Sequence, residues 1–322
     1  MILLNKKDVL STQDLDGSEI LSLISRGRDF KSRKIESRQL LKGKTLGLIF
    51  QKPSTRTRVS FEVAMFQMGG NSIYLNSNEL QMSRGETLED TAKTLSLYLD
   101  CIVARVYSHA HLQELAHFSK IPVINGLSDL FHPCQTLADL MTIIEHKNHF
   151  KGLQLAWIGD GNNVCSDLLI GCMKTGISVT AAIPKGFEPP THVLDIVRTE
   201  AYKNNCAFNI TREPTEAVKN ADIVVTDTFV SIGTENEQET RRAIFLPKYQ
   251  VNSQLMKSSK ADSIFMHCLP AKREEEVTAD VIDGKSSAVW KEAENRLHIQ
   301  KALLEYILVK YQYQNSSSPN LN

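Results

Sequence analysis

Apolar and polar positions alternate in short blocks along almost the whole chain. Nine apolar runs read as strands, at 45–50, 72–75, 101–106, 122–125, 153–158, 178–183, 207–210, 222–226 and 263–267. Helical periodicity fills the gaps at 54–68, 87–99, 110–119, 134–147, 163–175, 190–204, 213–219 and 253–258, and an amphipathic pattern covers 291–312. Strand and helix alternating at this interval predict βαβ units and hence parallel sheets. The near-continuous apolar runs CIVARV and ADIVVT fit strands covered on both faces. The expected class is therefore α/β, with doubly wound parallel sheets.

A chain of 322 residues is comfortable for two domains of about 100–200 residues each. The segment His149-Phe150-Lys151-Gly152, between a helical pattern and a fresh strand, marks the division. The expected domains are 1–148 and 149–290, followed by a last helix over 291–314 and a polar, Ser-rich tail at 315–322 that is expected to be disordered.

Charge narrows the picture. Lys plus Arg and Asp plus Glu are 37 each, so the net charge is zero. Non-specific attraction to nucleic acid or an anionic membrane needs a basic excess, and neither is expected as a partner. Six cysteines with no C-x-x-C pair suggest reduced thiols rather than a disulfide frame. The opening MILLNKKDVL is too short an apolar run for a signal peptide, and no run of about 18 apolar residues spans a membrane. A cytoplasmic location is expected.

Candidate chemistry begins at Ser54-Thr55-Arg56-Thr57-Arg58, where Pro53 ends a strand-to-loop passage and a helix begins, with Val59, Val63 and Phe66 as its apolar face. Ser is a preferred N-cap, and a helix N-terminus offers unpaired N–H groups and the positive end of the dipole. Three hydroxyls and two guanidinium forks then suit a phosphate. A capped helix with two solvated arginines is the plainer alternative, and no Walker A loop is present. A second turn, Gly159-Asp160-Gly161-Asn162-Asn163-Val164, follows a strand and opens a helix. Val164 replaces the third glycine of a dinucleotide fingerprint, so Asn162-Asn163 reads better as amides turned toward a ligand, with a plain strand-to-helix turn equally open.

Further motifs occupy loop positions. They are V-A-R-V-Y at 103–107, F-H-P-C-Q at 131–135, D-T-F-V-S-I-G at 227–233, H-C-L-P at 267–270 and E-A-E-N-R at 292–296. In this order and spacing the chain resembles the aspartate/ornithine carbamoyltransferase family over residues 1–312, and its ornithine branch in particular. S-T-R-T-R and H-P-x-Q are shared across that family, whereas D-x-x-x-S-x-G and H-C-L-P mark the ornithine branch and H-P-L-P the aspartate branch.

The resemblance implies transfer of the carbamoyl group of carbamoyl phosphate to the δ-amine of L-ornithine. Ser54, Thr55, Arg56, Thr57 and Arg58 would hold the phosphate, and Arg105, His132 and Gln135 the carbonyl and amide. Cys268, Leu269 and Arg296 would complete that side, with Gln81 donated across a subunit boundary. Asn163, Asp227, Ser231 and Ile232 would face ornithine, and Arg105, His132, Asp227 and Cys268 would act in catalysis. Ile232 stands where the branch usually has methionine, which puts a stiffer side chain against the acceptor. The resemblance further implies a last helix returning to the first domain, a homotrimer, and no metal or organic cofactor. Putrescine or an acylated ornithine as acceptor, and a catalytically silent homologue, are the alternatives. Cys134 reads as a packing residue. A covalent role for Cys268 is disfavoured, because His267 is its direct neighbour and would point to the opposite face of a strand.

Overall fold

The computed structural model of the protein describes residues 8–230 and 235–310. Ser231, Ile232 and the 315–322 tail lie outside the described residues. The chain forms two compact units, the first of residues 1–141 with 295–322 and the second of residues 142–294.

In chain order the first unit begins with α1 (Gly17–Lys31), β1 (Thr45–Phe50), α2 (Thr55–Gln67) and β2 (Asn71–Asn76). It continues through α3 (Leu88–Leu95), β3 (Cys101–Arg105), α4 (His109–Phe118), β4 (Val123–Leu127) and the start of α5 (Pro133–Lys147). Its sheet runs β2-β1-β3-β4, every pair parallel. β1 and β3 are central and buried nearly throughout, as their unbroken apolar runs require. Val9 pairs with Ile124 and covers part of the β4 edge.

The second unit holds β5 (Gln154–Ile158), α6 (Asn163–Thr175), β6 (Ser178–Ala182), α7 (Thr191–Asn204), β7 (Phe208–Thr211), α8 (Pro214–Val218) and β8 (Ile223–Thr226). After them come α9 (Gln238–Phe245), α10 (Ser253–Met256), β9 (Ile264–Met266), α11 (Ala279–Ile282) and the start of α12 (Val289–Glu305). This sheet runs β7-β6-β5-β8-β9, again all parallel. The two parallel sheets are those the hydrophobic pattern predicts, and each of the nine apolar runs overlaps a strand.

Two helical expectations need correction. Val59 and Phe66 are exposed, at 49% and 81%, and are not the core face of α2. Thr57, Phe61, Ala64 and Met65 are buried instead. Their spacing of four, three and one also defines a face, and it is the one that α2 buries.

The second correction is α1, which the strand-and-helix reading passed over. Asp16 caps it by accepting from Glu19 N–H at 2.8 Å, while Glu19 accepts from Asp16 N–H at 2.7 Å, a reciprocal capping box. Ile20, Leu23, Ile24, Gly27 and Phe30 form its buried stripe. A side chain at Gly27 would come within 3.0 Å of the Met141 sulfur and 3.3 Å of the Ile299 side chain, so those two side chains would have to give way for anything larger than glycine. Arg26 binds Glu305 through two hydrogen bonds of 2.6 and 2.5 Å, and Lys31 binds Asn295 at 2.6 Å. These ties belong to the part of α12 from Asn295 onward, which is part of the first unit.

Candidate active site

In an open parallel sheet, ligands bind beyond the carboxyl ends of strands, where the winding reverses. In the first unit that reversal falls between β1 and β3. The chain leaving β1 becomes the Ser54–Arg58 segment, and β3 ends on Arg105. Gln51 N–H donates to the Arg105 carbonyl at 2.8 Å and locks the two ends together. Ser54 caps α2 by accepting from Thr57 N–H at 3.3 Å, as its sequence position predicts.

Thr57 is the inner member of this segment. Its hydroxyl accepts from Arg296 at 3.0 Å, and Arg296 also donates to the Gln135 amide oxygen at 2.6 Å. Gln135 in turn donates to Asp139 at 2.8 Å, one turn further along α5. Four residues from three distant stretches of sequence thus form one buried chain of hydrogen bonds. Arg58 is not brought to it. Its guanidinium pairs with Glu62 at 3.0 Å and stacks 3.7 Å over the Tyr74 ring, on the exposed side of α2. Gln81 lies exposed in a 3-10 turn, Gln81–Arg84.

His132 is buried immediately before α5. Its pKa is driven well below the ordinary value, first by burial and then by Arg296, Arg105 and Arg56. The imidazole is therefore neutral at physiological pH. Its Nδ1 is buried with no hydrogen-bond partner among the described residues, so the site holds a polar atom that a ligand can satisfy. Cys134 is buried and its thiol meets the Asn125 carbonyl at 3.5 Å, in keeping with packing.

The reversal in the second sheet falls between β5 and β8. Asn162, and not Asn163, bridges it. The Asn162 side-chain oxygen accepts from Val164 and Cys165 N–H at 3.0 Å each, capping α6, and its amide donates to Asp227 at 2.7 Å. Asn163 is the first, half-buried residue of α6. Gly161 owes its identity to packing, since a side chain there would lie 2.5 Å from the Phe187 carbonyl. The other Asp227 oxygen accepts from the Cys268 thiol at 3.3 Å.

Cys268 sits in a constrained turn. Leu269 adopts a left-handed φ of +59°, which costs about 1–2 kcal/mol for a residue with a side chain, and its N–H donates to His267 Nδ1 at 2.9 Å. His267 is fully buried against Glu276, and because β9 ends at Met266 it and Cys268 lie past the strand, where the expected alternation of faces does not apply. Asp227, His267 and Cys268 offer ligand atoms within 4.8 Å of one another. Both ring nitrogens of His267 and the Cys268 thiol are already hydrogen bonded, so a cation entering there would have to break one of those bonds.

Residues 7–145 match the carbamoyl-P binding domain of the aspartate/ornithine carbamoyltransferases, and residues 151–307 match the Asp/Orn binding domain of the same group. The chain belongs to the aspartate/ornithine carbamoyltransferase family. Within this family it is similar to the ornithine carbamoyltransferase of Pyrococcus horikoshii, at 51% identity over 310 residues, 96% of this chain and 98% of that one. The ornithine carbamoyltransferase of Cenarchaeum symbiosum is 54% identical over 301 residues, 94% of this chain and 98% of that one. The solved ornithine carbamoyltransferase from Pyrococcus furiosus superposes with a TM-score of 0.91 at 50% identity, covering 96% of this chain and 99% of that one.

Several residues near the two strand-end clusters, each within its own unit, carry no motif of their own. Arg241, on α9, donates to the Phe229 carbonyl at 2.6 Å, makes a short ion pair with Asp160, and lies over the rings of Phe187 and Phe245 at 4.9 and 5.6 Å. It thereby anchors the start of the loop that Asp227 opens. Burial pushes Asp160 up to about 6, with Asp227 adding to the shift and Arg241 opposing it. A buried arginine on an otherwise charged helix, facing a lone aspartate in a glycine turn, leaves no local pattern in sequence. Asp139 was legible in principle, since Gln135 and Asp139 stand at helical i, i+4 spacing.

Proposed function

We propose that this enzyme transfers the carbamoyl group from carbamoyl phosphate to the δ-amine of L-ornithine, giving L-citrulline and phosphate. The observation that carries the reading is the neutral, buried His132 among Arg56, Arg105 and Arg296. Ser54, Thr55, Arg56 and Thr57 take the phosphate at the α2 N-terminus. Arg105 and His132, with Thr57, polarise the carbonyl and stabilise the tetrahedral oxyanion. Gln135 holds the amide end and also fixes Arg296, while Cys268, Leu269 and Arg296 complete the phosphate and carbonyl side. Arg58, paired with Glu62, contributes positive charge at a distance rather than contact.

The acceptor amine titrates near 10.4, so about one molecule in 2,500 is neutral at pH 7, and recovering that form costs about 4–5 kcal/mol. Desolvation beside arginines lowers this cost. In the reaction the amine lone pair attacks the carbonyl carbon, the carbon–oxygen bond to phosphate breaks, and the surplus proton leaves through Cys268 toward Asp227. Asn163, Asp227, Ser231 and Ile232 recognise ornithine, whose α-amine and carboxylate match polar groups that putrescine would leave without partners.

The enzyme acts as a homotrimer with Gln81 supplied by a neighbouring subunit. The exposed Val59, Phe66 and Ile73 on α2 and the edge strand β2 support an apolar contact between copies. We place it in the cytoplasm and in arginine metabolism, which the six free cysteines support. No helix among the described residues is long and apolar enough to cross a membrane. Colorimetric detection of citrulline with ornithine, and of carbamoylated product with putrescine and N-acetylornithine, tests the assignment. Turnover with ornithine alone is expected, and none with any amine would refute it.

A further inference from the structure

The turn that carries Cys268 is tied to a buried pair that the chemistry above does not use. His267 and Glu276 are both fully buried. Nδ1 of His267 accepts from Leu269 N–H, so Nδ1 bears the lone pair and the ring proton sits on Nε2. That Nε2–H donates to Glu276 Oε1 at 3.1 Å, and the same oxygen accepts from Lys272 N–H at 2.6 Å. The backbone N–H of His267 donates to Glu292 at 3.0 Å. The imidazole is thus gripped on one side by a carboxylate and on the other by the left-handed Leu269, with Cys268 between. With the opposite tautomer, Nδ1–H would face Leu269 N–H, donor against donor, and the turn would lose its tie.

We propose that His267 and Glu276 are a positioning pair, in which Glu276 selects the Nε2–H tautomer and His267 Nδ1 fixes the Leu269 turn that keeps the Cys268 thiol on Asp227. Neither side chain touches substrate, and the pair works through the Leu269 backbone. The proposal rests on the carbamoyl-transfer reading, which makes Cys268 and Asp227 the proton path.

Full-length variants test it. His267→Asn puts an amide oxygen where Nδ1 stands and keeps an acceptor for Leu269. His267→Gln reaches Glu276 but leaves Leu269 N–H without one. His267→Gln is expected to lose about tenfold or more in kcat with KM for carbamoyl phosphate within about twofold, and His267→Asn to stay within about threefold of the parent. Iodoacetamide labelling of Cys268, located by peptide mass spectrometry, is expected to change by about threefold or more in His267→Gln. In a Cys268→Ser background the same change should cost less than about threefold further.

Equal impairment of the two His267 variants, or an undiminished His267→Gln effect in the Cys268→Ser chain, would overturn the proposal. Glu276→Gln keeps a carbonyl oxygen for Nε2–H and decides the matter should His267→Gln not fold. Activity within about threefold supports the tautomer role, and a loss beyond about tenfold overturns it. Absence of citrulline from the unmodified chain would remove the function instead, and the labelling rates would still report on the pair.

Discussion

Protonating His132 would add a buried cation where Arg296, Arg105 and Arg56 already stand. The same burial and the same cations hold the imidazole pKa well below its ordinary value, which suits the neutral hydrogen-bond donor proposed for it. His132→Ala should lower kcat by about 10²–10³, the usual effect of losing one oxyanion donor, and steady-state citrulline formation measures it. Arg241 acts by another route, since it holds the Phe229 carbonyl and Asp160 together. Arg241→Met should raise KM for ornithine by about tenfold or more, as expected for a lost charged hydrogen bond of about 1.5–3 kcal/mol, with KM for carbamoyl phosphate little changed. Initial rates with each substrate varied separately would check this. The contrast shows what was legible at this scale. His132, Gln135 and Arg296 sit in motifs, so their neighbourhood could be inferred before any geometry was known. Asn162 and Asn163 read alike in the sequence, as two amides at a strand end, and only the geometry separates the one that caps α6 and ties to Asp227 from its neighbour.

Among elements, the strands were easiest to read, because β1, β3, β5 and β8 are apolar on both faces and bounded by turns. Helix faces were harder. α2 offers two apolar stripes, and only the sheet decides between Val59 with Phe66 and Phe61 with Met65. α1 had a readable start, since Asp16 and Glu19 stand at capping-box spacing, but Gly17 and Gly27 weaken its helical signal. α9 is charged on most of its surface, and burial of Phe245 and Arg241 alone gives too little periodicity. Asp16→Ala should destabilise the protein by about 1 kcal/mol through loss of the α1 cap, without changing kcat, as urea unfolding and a rate assay would show.

For the whole molecule, two measurements follow from the geometry. Folded Asp160 keeps its proton up to about 6, whereas its ordinary value is 3.8. Between those values the folded chain binds more protons than the unfolded one, so this group's contribution to stability falls as pH rises from about 4 to about 6. Asp160→Asn lacks that titration. The Tm of the parent minus that of Asp160→Asn should therefore decline across the window, and a flat or rising difference would contradict the assignment. The proposed trimer is tested by mixing. Gln81→Glu and Arg56→Ala chains, each inactive alone, should recover activity in hybrid trimers if Gln81 serves a neighbour, and should not if it serves its own chain.

The hydrogen-bond chain from Thr57 through Arg296 to Gln135 also bears on how the protein is made. Thr57 and Gln135 leave the ribosome early, but Arg296 follows Gln135 by about 160 residues, roughly 8–32 s at about 5–20 residues per second. Until then the first unit lacks α12, the partner of α1 and the bearer of Arg296. The proposed phosphate grip, written near the start of the message, would therefore be among the last parts to become competent, and on that proposal a nascent chain captures carbamoyl phosphate fully only after its second unit has been synthesised.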